Sequence, residues 1–183
     1  MSVFRNMINE IAEALRSFRG AQLVHIGGTG FWEGKQFRSF FEFTTTGTEL
    51  IVLRLVATQP FLLQYEALTV HKGEARVEIR TGSAPGGTWV ALPNNVQSKY
   101  RIGVTPVSTI SLSTGGIATG GIVREPIRII AGTGGSVKAA TSVSSSTGLR
   151  GLPASTYYIR IQCTGATEGM FVLEWEDLNS DGR

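Results

Sequence analysis

Ala75-Arg76-Val77-Glu78-Ile79-Arg80 alternates without a break, with Val77 and Ile79 on one side and Arg76, Glu78 and Arg80 on the other. A period of two is that of a strand with one face in a core and the other in water. Upstream, Phe61 to His71 and Glu49 to Ala57 read as strands, the latter a long one. Lys72-Gly73 is expected to turn the chain between two strands, and Gln59-Pro60 to end another. Phe37 to Phe43 (FRSFFEF) and Ala21 to Ile26 are earlier strands. Downstream come Thr88 to Leu92, Ser108 to Ser113, Pro126 to Ile130, Thr156 to Cys163 and Met170 to Glu176. The last two are expected to form a hairpin through Thr164 to Gly169. Ser83 to Gly87, Pro93-Asn94-Asn95, the segment between Gly115-Gly116 and Gly120-Gly121, and Gly132 to Leu149 read as loops. Short strands at this spacing predict a mainly β protein with a β-sandwich or jelly-roll-like body. The lack of a strict repeat argues against a solenoid or propeller.

The N-terminus departs from this rhythm. Phe4, Ile8, Ile11, Leu15 and Phe18 are spaced 4, 3, 4, 3, which is the seam of an amphipathic helix. Ser2 suits the N-cap, Arg16 and Arg19 the negative end of the helix dipole, and Gly20 the C′ position. The expected organisation is therefore a helix over 1–20, for oligomerisation or docking, and a β domain over 21–183.

Composition agrees with many turns and few helices. Of 183 residues, 23 are Gly, 42% are hydrophobic and only 17% charged. The net charge of +3 is mild, and the basic residues are scattered with acidic neighbours, so no nucleic-acid partner is expected. No stretch has the length and apolarity of a membrane helix. Residues 1–20 also lack the continuous apolar core of a secretory signal, so synthesis in the cytoplasm is expected. The lone Cys163 allows no internal disulfide and falls on the apolar face of its strand, as a small buried hydrophobe.

Chemistry-bearing patterns are sparse. His25 and His71 stand alone, with no metal-ligand spacing around them. No GxSxG is present. The glycine runs at Gly27-Gly28-Thr29-Gly30 and Gly132-Thr133-Gly134-Gly135 lack the following helix that a phosphate loop needs. Glu174 and Glu176 share a strand face and are the nearest thing to a carboxylate pair, but a charged outer face explains them as well. The expectation is no catalytic residue, no metal and no cofactor. Aromatic residues are more telling. FRSFFEF puts Phe37, Phe41 and Phe43 on one face and leaves Phe40 on the other with Arg38 and Glu42, an exposed contact candidate. The expected partner contacts are Phe4, Ile8, Ile11, Leu15, Phe18, Trp32 and Phe40. Trp32, Trp89 or Tyr100 would be the stacking platform if the chain bound a carbohydrate.

The segment from Gly148 to Arg160, GLRGLPASTYYIR, followed by Gly169 to Glu176, GMFVLEWE, resembles the end of virion structural proteins of tailed bacteriophages. Ser155 stands where those proteins usually carry Gly. Pro106-Val107-Ser108 and the paired glycines after it add to the likeness, which covers about half the chain. The resemblance implies a β-sandwich that assembles with itself, a trimer being favoured, and with the major capsid or tail proteins of a virion. It implies a capsid decoration protein or a tail, collar or baseplate component, and it carries over no catalytic residue.

Overall fold

The computed structural model describes residues 34–92, 96–98, 107–124, 128–132, 141–144 and 150–178. The expected helix over 1–20, the strand Ala21 to Ile26 and Trp32 lie outside the described residues.

Thirteen strands follow one another: β1 Gln36–Thr45, β2 Glu49–Ala57, β3 Phe61–Thr81, β4 Ala84–Gly86, β5 Val90–Ala91, β6 Val96–Ser98, β7 Ile110–Thr114, β8 Ile117–Thr119, β9 Ile122–Val123, β10 Arg128–Gly132, β11 Thr141–Ser144, β12 Arg150–Leu152 and β13 Ser155–Asp177. Eleven belong to one antiparallel sheet, and β4 and β8 form a separate two-stranded ladder. The protein is mainly β, as the alternation predicts.

Two expected turns are corrected. Lys72-Gly73 does not reverse the chain, and Thr164 to Gly169 is not a hairpin. Each is a bend inside a single long strand. β3 and β13 run antiparallel along nearly their whole lengths, from Tyr157 opposite Thr81 to Asp177 opposite Phe61. Their register slips between Thr164 and Gly169, where extra residues bulge from β13. The two bends touch. Gly73 has a φ of 80°, and a Cβ there would lie 2.4 Å from the Ala166 carbonyl oxygen. Threonines take up the polar groups that the bulge frees from the ladder. The Thr167 N–H donates to Thr45 Oγ1 at 3.1 Å, Thr45 Oγ1 donates to the Gly165 carbonyl at 3.1 Å, and Thr167 Oγ1 donates to the Glu74 carbonyl at 3.2 Å.

Three expected loops also contribute strands. The Gly/Ser/Thr-rich stretch 132–149 supplies β11, which pairs with Ala67 to Val70 of β3. The segment between Gly116 and Gly120 supplies β8, which pairs with β4 from the expected loop 83–87. None of these strands has an apolar run to announce it; each exists because a neighbour offers an edge.

The bends divide the sheet into two limbs. In the first, β6, β1, the C-terminal half of β13 and the N-terminal half of β3 lie side by side, with β11 and β12 beyond. In the second, β5, β7, β2, the N-terminal half of β13 and the C-terminal half of β3 lie side by side, with β9 and β10 beyond. The sheet curls so that the limbs enclose one core. Phe37, Phe171, Leu173 and Trp175 come from the first limb, and Leu53, Leu55, Leu112, Ile159 and Ile161 from the second. Each such side chain contributes about 1.5–3 kcal/mol of burial. Trp175 is fully buried and stacks on Phe37 at 6.0 Å between ring centroids. Its Nε1 donates to Asp177 Oδ1 and to Ser108 Oγ, both at 3.1 Å. Asp177 Oδ2 also accepts the Thr109 N–H at 2.6 Å, which ties the approach to β7 onto the end of β13.

One departure from strict alternation matters. Phe61 and Leu63 point inward, so continued alternation would put Glu66 outside. Gln64 is instead an extra residue: Trp175 pairs with Leu63, and Glu174 with Tyr65. The bulge flips the parity, sending Glu66, Leu68 and Val70 into the core and Tyr65 to the outer face.

Candidate functional site

The outer face of the first limb is a grid three strands wide. Cross-strand pairing sets Arg38, Glu174 and Tyr65 in one row, Phe40, Val172 and Ala67 in the next, and Glu42, Met170 and Thr69 in the third. The middle row is apolar throughout. Phe40 is 36% exposed although it is a large aromatic. The side chains of Phe40, Tyr65, Met170, Val172, Arg38 and Glu174 line a shallow depression of about 520 Å³. At its edge Arg38 donates from Nε to Glu174 Oε1 at 2.7 Å, and a second guanidinium nitrogen closes on the same oxygen. The depression therefore joins an apolar strip to a charge pair at its edge.

Phe40 takes the place expected of it, on the face shared with Arg38 and Glu42. Phe4, Ile8, Ile11, Leu15, Phe18, Trp32, Tyr100 and His25 lie outside the described residues. Tyr65, Met170 and Val172 escaped the sequence reading, because only strand order brings β13 and β3 alongside β1. For Tyr65 the bulge at Gln64 hid the side of the sheet as well.

The remaining candidates are accounted for by local contacts. The carboxylate of Glu174 is held by Arg38, and Glu176 Oε2 accepts from Gln36 Nε2 and Gln64 Nε2 at 3.0 Å each. Arg38 thus holds one carboxylate, and two glutamines hold the other. Trp89 is not an open stacking platform. A Cβ on Gly116 would fall 2.1 Å from its ring, the Arg54 guanidinium carbon lies 4.6 Å from the ring centroid, and Tyr158 tilts against it at 6.0 Å. Its Nε1 is buried without a hydrogen-bond partner. Cys163 is wholly buried, and burial pushes its thiol up, outweighing the hydrogen bond from Thr45. That is the environment of an inert thiol. His71 is exposed beside the bend of β3. Among the described residues no three His, Cys, Asp or Glu side chains gather as a metal site, and no helix is long and apolar enough to cross a membrane.

No family model, no curated protein and no solved structure matches this chain.

Proposed function

We propose that this chain is a structural component of a tailed-bacteriophage particle. Its body is a jelly-roll-like sandwich, and it decorates the head as a homo-oligomer, a trimer being favoured. The reading rests on the resemblance of GLRGLPASTYYIR and GMFVLEWE to virion proteins, and the observation that carries it is the apolar pair Phe40 and Val172 on the outer face, with Ala67 buried beside them. The occupant of that face is a second copy of the chain. Arg38 and Glu174 lie together at its edge, so the rim offers both a cation and an anion to the different surface that a neighbouring copy presents in a ring. The apolar strip gains by losing water, while the rim sets the register. Repetition by symmetry then turns modest contacts into a stable shell.

Light scattering on the whole chain tests the oligomer, and cosedimentation with heads that lack the protein tests the location. The expected results are a trimer that binds heads, and a Phe40→Lys variant that is monomeric, unchanged in circular dichroism and no longer retained. A monomeric wild type, or a Phe40→Lys variant that still assembles, would remove the face from the account. Cosedimentation with tails instead of heads would replace decoration by a tail, collar or baseplate role.

A further inference from the structure

The arginines are scattered along the sequence, but the fold gathers four of them on the outer face of the second limb. There Leu50, Gln162 and Arg76 form one row, Val52, Arg160 and Glu78 a second, and Arg54, Tyr158 and Arg80 a third. Arg54 is occupied with Trp89 and with Ser113, whose Oγ accepts from its Nε at 3.0 Å. The other three line a depression of about 270 Å³ with Glu78, Leu50, Val77 and Gln162.

Among the described residues this cluster is short of acceptors. One oxygen, Glu78 Oε1, takes both Arg80 Nε at 2.7 Å and Arg160 Nη1 at 2.8 Å. Arg80 finds a further acceptor in the Gly120 carbonyl at 2.9 Å. The Nε of Arg160 is buried with no hydrogen-bond partner. Arg76 is exposed and has no ion pair or hydrogen bond among the described residues; Glu74, two positions along the same strand, makes no ion pair with it. Three guanidiniums against one carboxylate leave two positive charges around one depression. An arrangement of this kind is costly to keep without a counter-charge, since a guanidinium N–H deprived of an acceptor loses a hydrogen bond that water or an anion would supply.

We infer that this depression is an oxyanion site that takes a dianionic group of phosphate or sulfate type, held by Arg76 and Arg160. Arg76 supplies the free fork. Glu78, already shared between two arginines, holds Arg160 and Arg80 in position and keeps the empty site from unfolding the face by like-charge repulsion. The planar guanidinium suits two oxygens of such a group at once. The size of the depression admits the anion together with part of whatever carries it. The inference does not depend on the assembly reading, which concerns the outer face of the first limb.

Titration calorimetry of the whole chain with inorganic phosphate, inorganic sulfate and a sugar phosphate tests it. Saturable binding that weakens with added salt is expected. Arg76→Gln, at an exposed side chain without an ion pair or hydrogen bond among the described residues, should keep its melting temperature and lose about tenfold in affinity. Glu78→Gln should change affinity in the opposite sense, binding about threefold more tightly, because it removes the negative charge nearest the ligand. A purely structural cluster would lose stability in Glu78→Gln without gaining affinity. A tighter response to the sugar phosphate than to the free ions would identify an ester as the ligand, and equal responses a free anion. Absence of saturable binding to all three probes, or binding indifferent to Arg76→Gln, would overturn the inference and leave the assembly reading untouched.

Discussion

Four glycines separate two reasons for which a sheet needs glycine. Gly47 has neither: its φ is not in the left-handed region, and a Cβ there would meet nothing within 4 Å. Gly82 has only the backbone reason, with φ 68° and open space around it. Gly169 has only the steric reason. Its φ is ordinary, but a Cβ would lie 2.6 Å from both Phe43 Cζ and the Thr69 carbonyl. Gly73, at the bend of β3, has both, with φ 80° and the Ala166 carbonyl at 2.4 Å. Alanine at each position should therefore rank in order. Gly47→Ala should lie within about 0.5 kcal/mol of wild type, or be slightly stabilising through the unfolded chain. Gly82→Ala should cost about 1–2 kcal/mol for left-handed strain. Gly169→Ala should cost about 1–3 kcal/mol for overpacking. Gly73→Ala should approach the sum, about 2–5 kcal/mol, a large part of a typical total of about 5–15 kcal/mol. Urea titration of each variant, with midpoints and slopes compared, gives the four numbers. If Gly73→Ala matched Gly47→Ala, neither the positive φ nor the close approach of Ala166 would be what requires a glycine at the bend.

Alkaline pH should weaken the fold. Burial raises both the Cys163 thiol, from an ordinary 9.0, and the Tyr157 phenol, from an ordinary 10.0, the latter against the opposing pull of Arg124. A raised folded value means stability that is complete below the unfolded pKa and is lost as pH rises through the folded one. Urea midpoints should therefore fall above about pH 9, and C163A should flatten the first part of that decline; a midpoint unchanged up to pH 11 would contradict it. At the N-terminus, the heptad spacing predicts that Ile11→Asp abolishes assembly and leaves the β body folded. Light scattering and circular dichroism read the two effects separately, and a collapsed body would place this segment in the core.

The alternation in ARVEIR and MFVLEWE separates the two faces of each strand, and the structure places Val77, Ile79, Phe171, Leu173 and Trp175 in the core. Within these runs every second residue is apolar, so one face has no alternative to burial. The connections were less legible. Lys72-Gly73 carries the residues of a turn, yet the chain continues through it, because β13 offers a partner on both sides of the bend. A glycine with positive φ permits a turn or a bend, and long-range pairing decides between them. The grid around Phe40 was half legible. Its parity follows from FRSFFEF, but its neighbours come from residues more than a hundred positions away along β13. Glu66 was the least legible of all, because one extra residue at Gln64 reverses the alternation that Phe61 and Leu63 begin.

The curl also decides how the two outer surfaces relate. Both proposed surfaces lie on one side of one continuous sheet, and β3 and β13 contribute to each. In a flat sheet the apolar row around Phe40 and the arginines around Glu78 would be neighbours on a common plane, and a partner bound to one would crowd the other. The bends at Gly73 and at Gly165 to Thr167 fold that side outward, so the two areas point away from each other across the shared core. A copy seated on the Phe40 face leaves the arginine face open, and an anion bound there adds its charge far from the Arg38–Glu174 pair. The two surfaces are then energetically independent, since groups well separated and without shared partners add without coupling. Phe40→Lys should leave anion affinity unchanged and Arg76→Gln should leave the oligomer unchanged; cross-effects beyond the scatter of the measurement would mean that the bend transmits strain between the limbs.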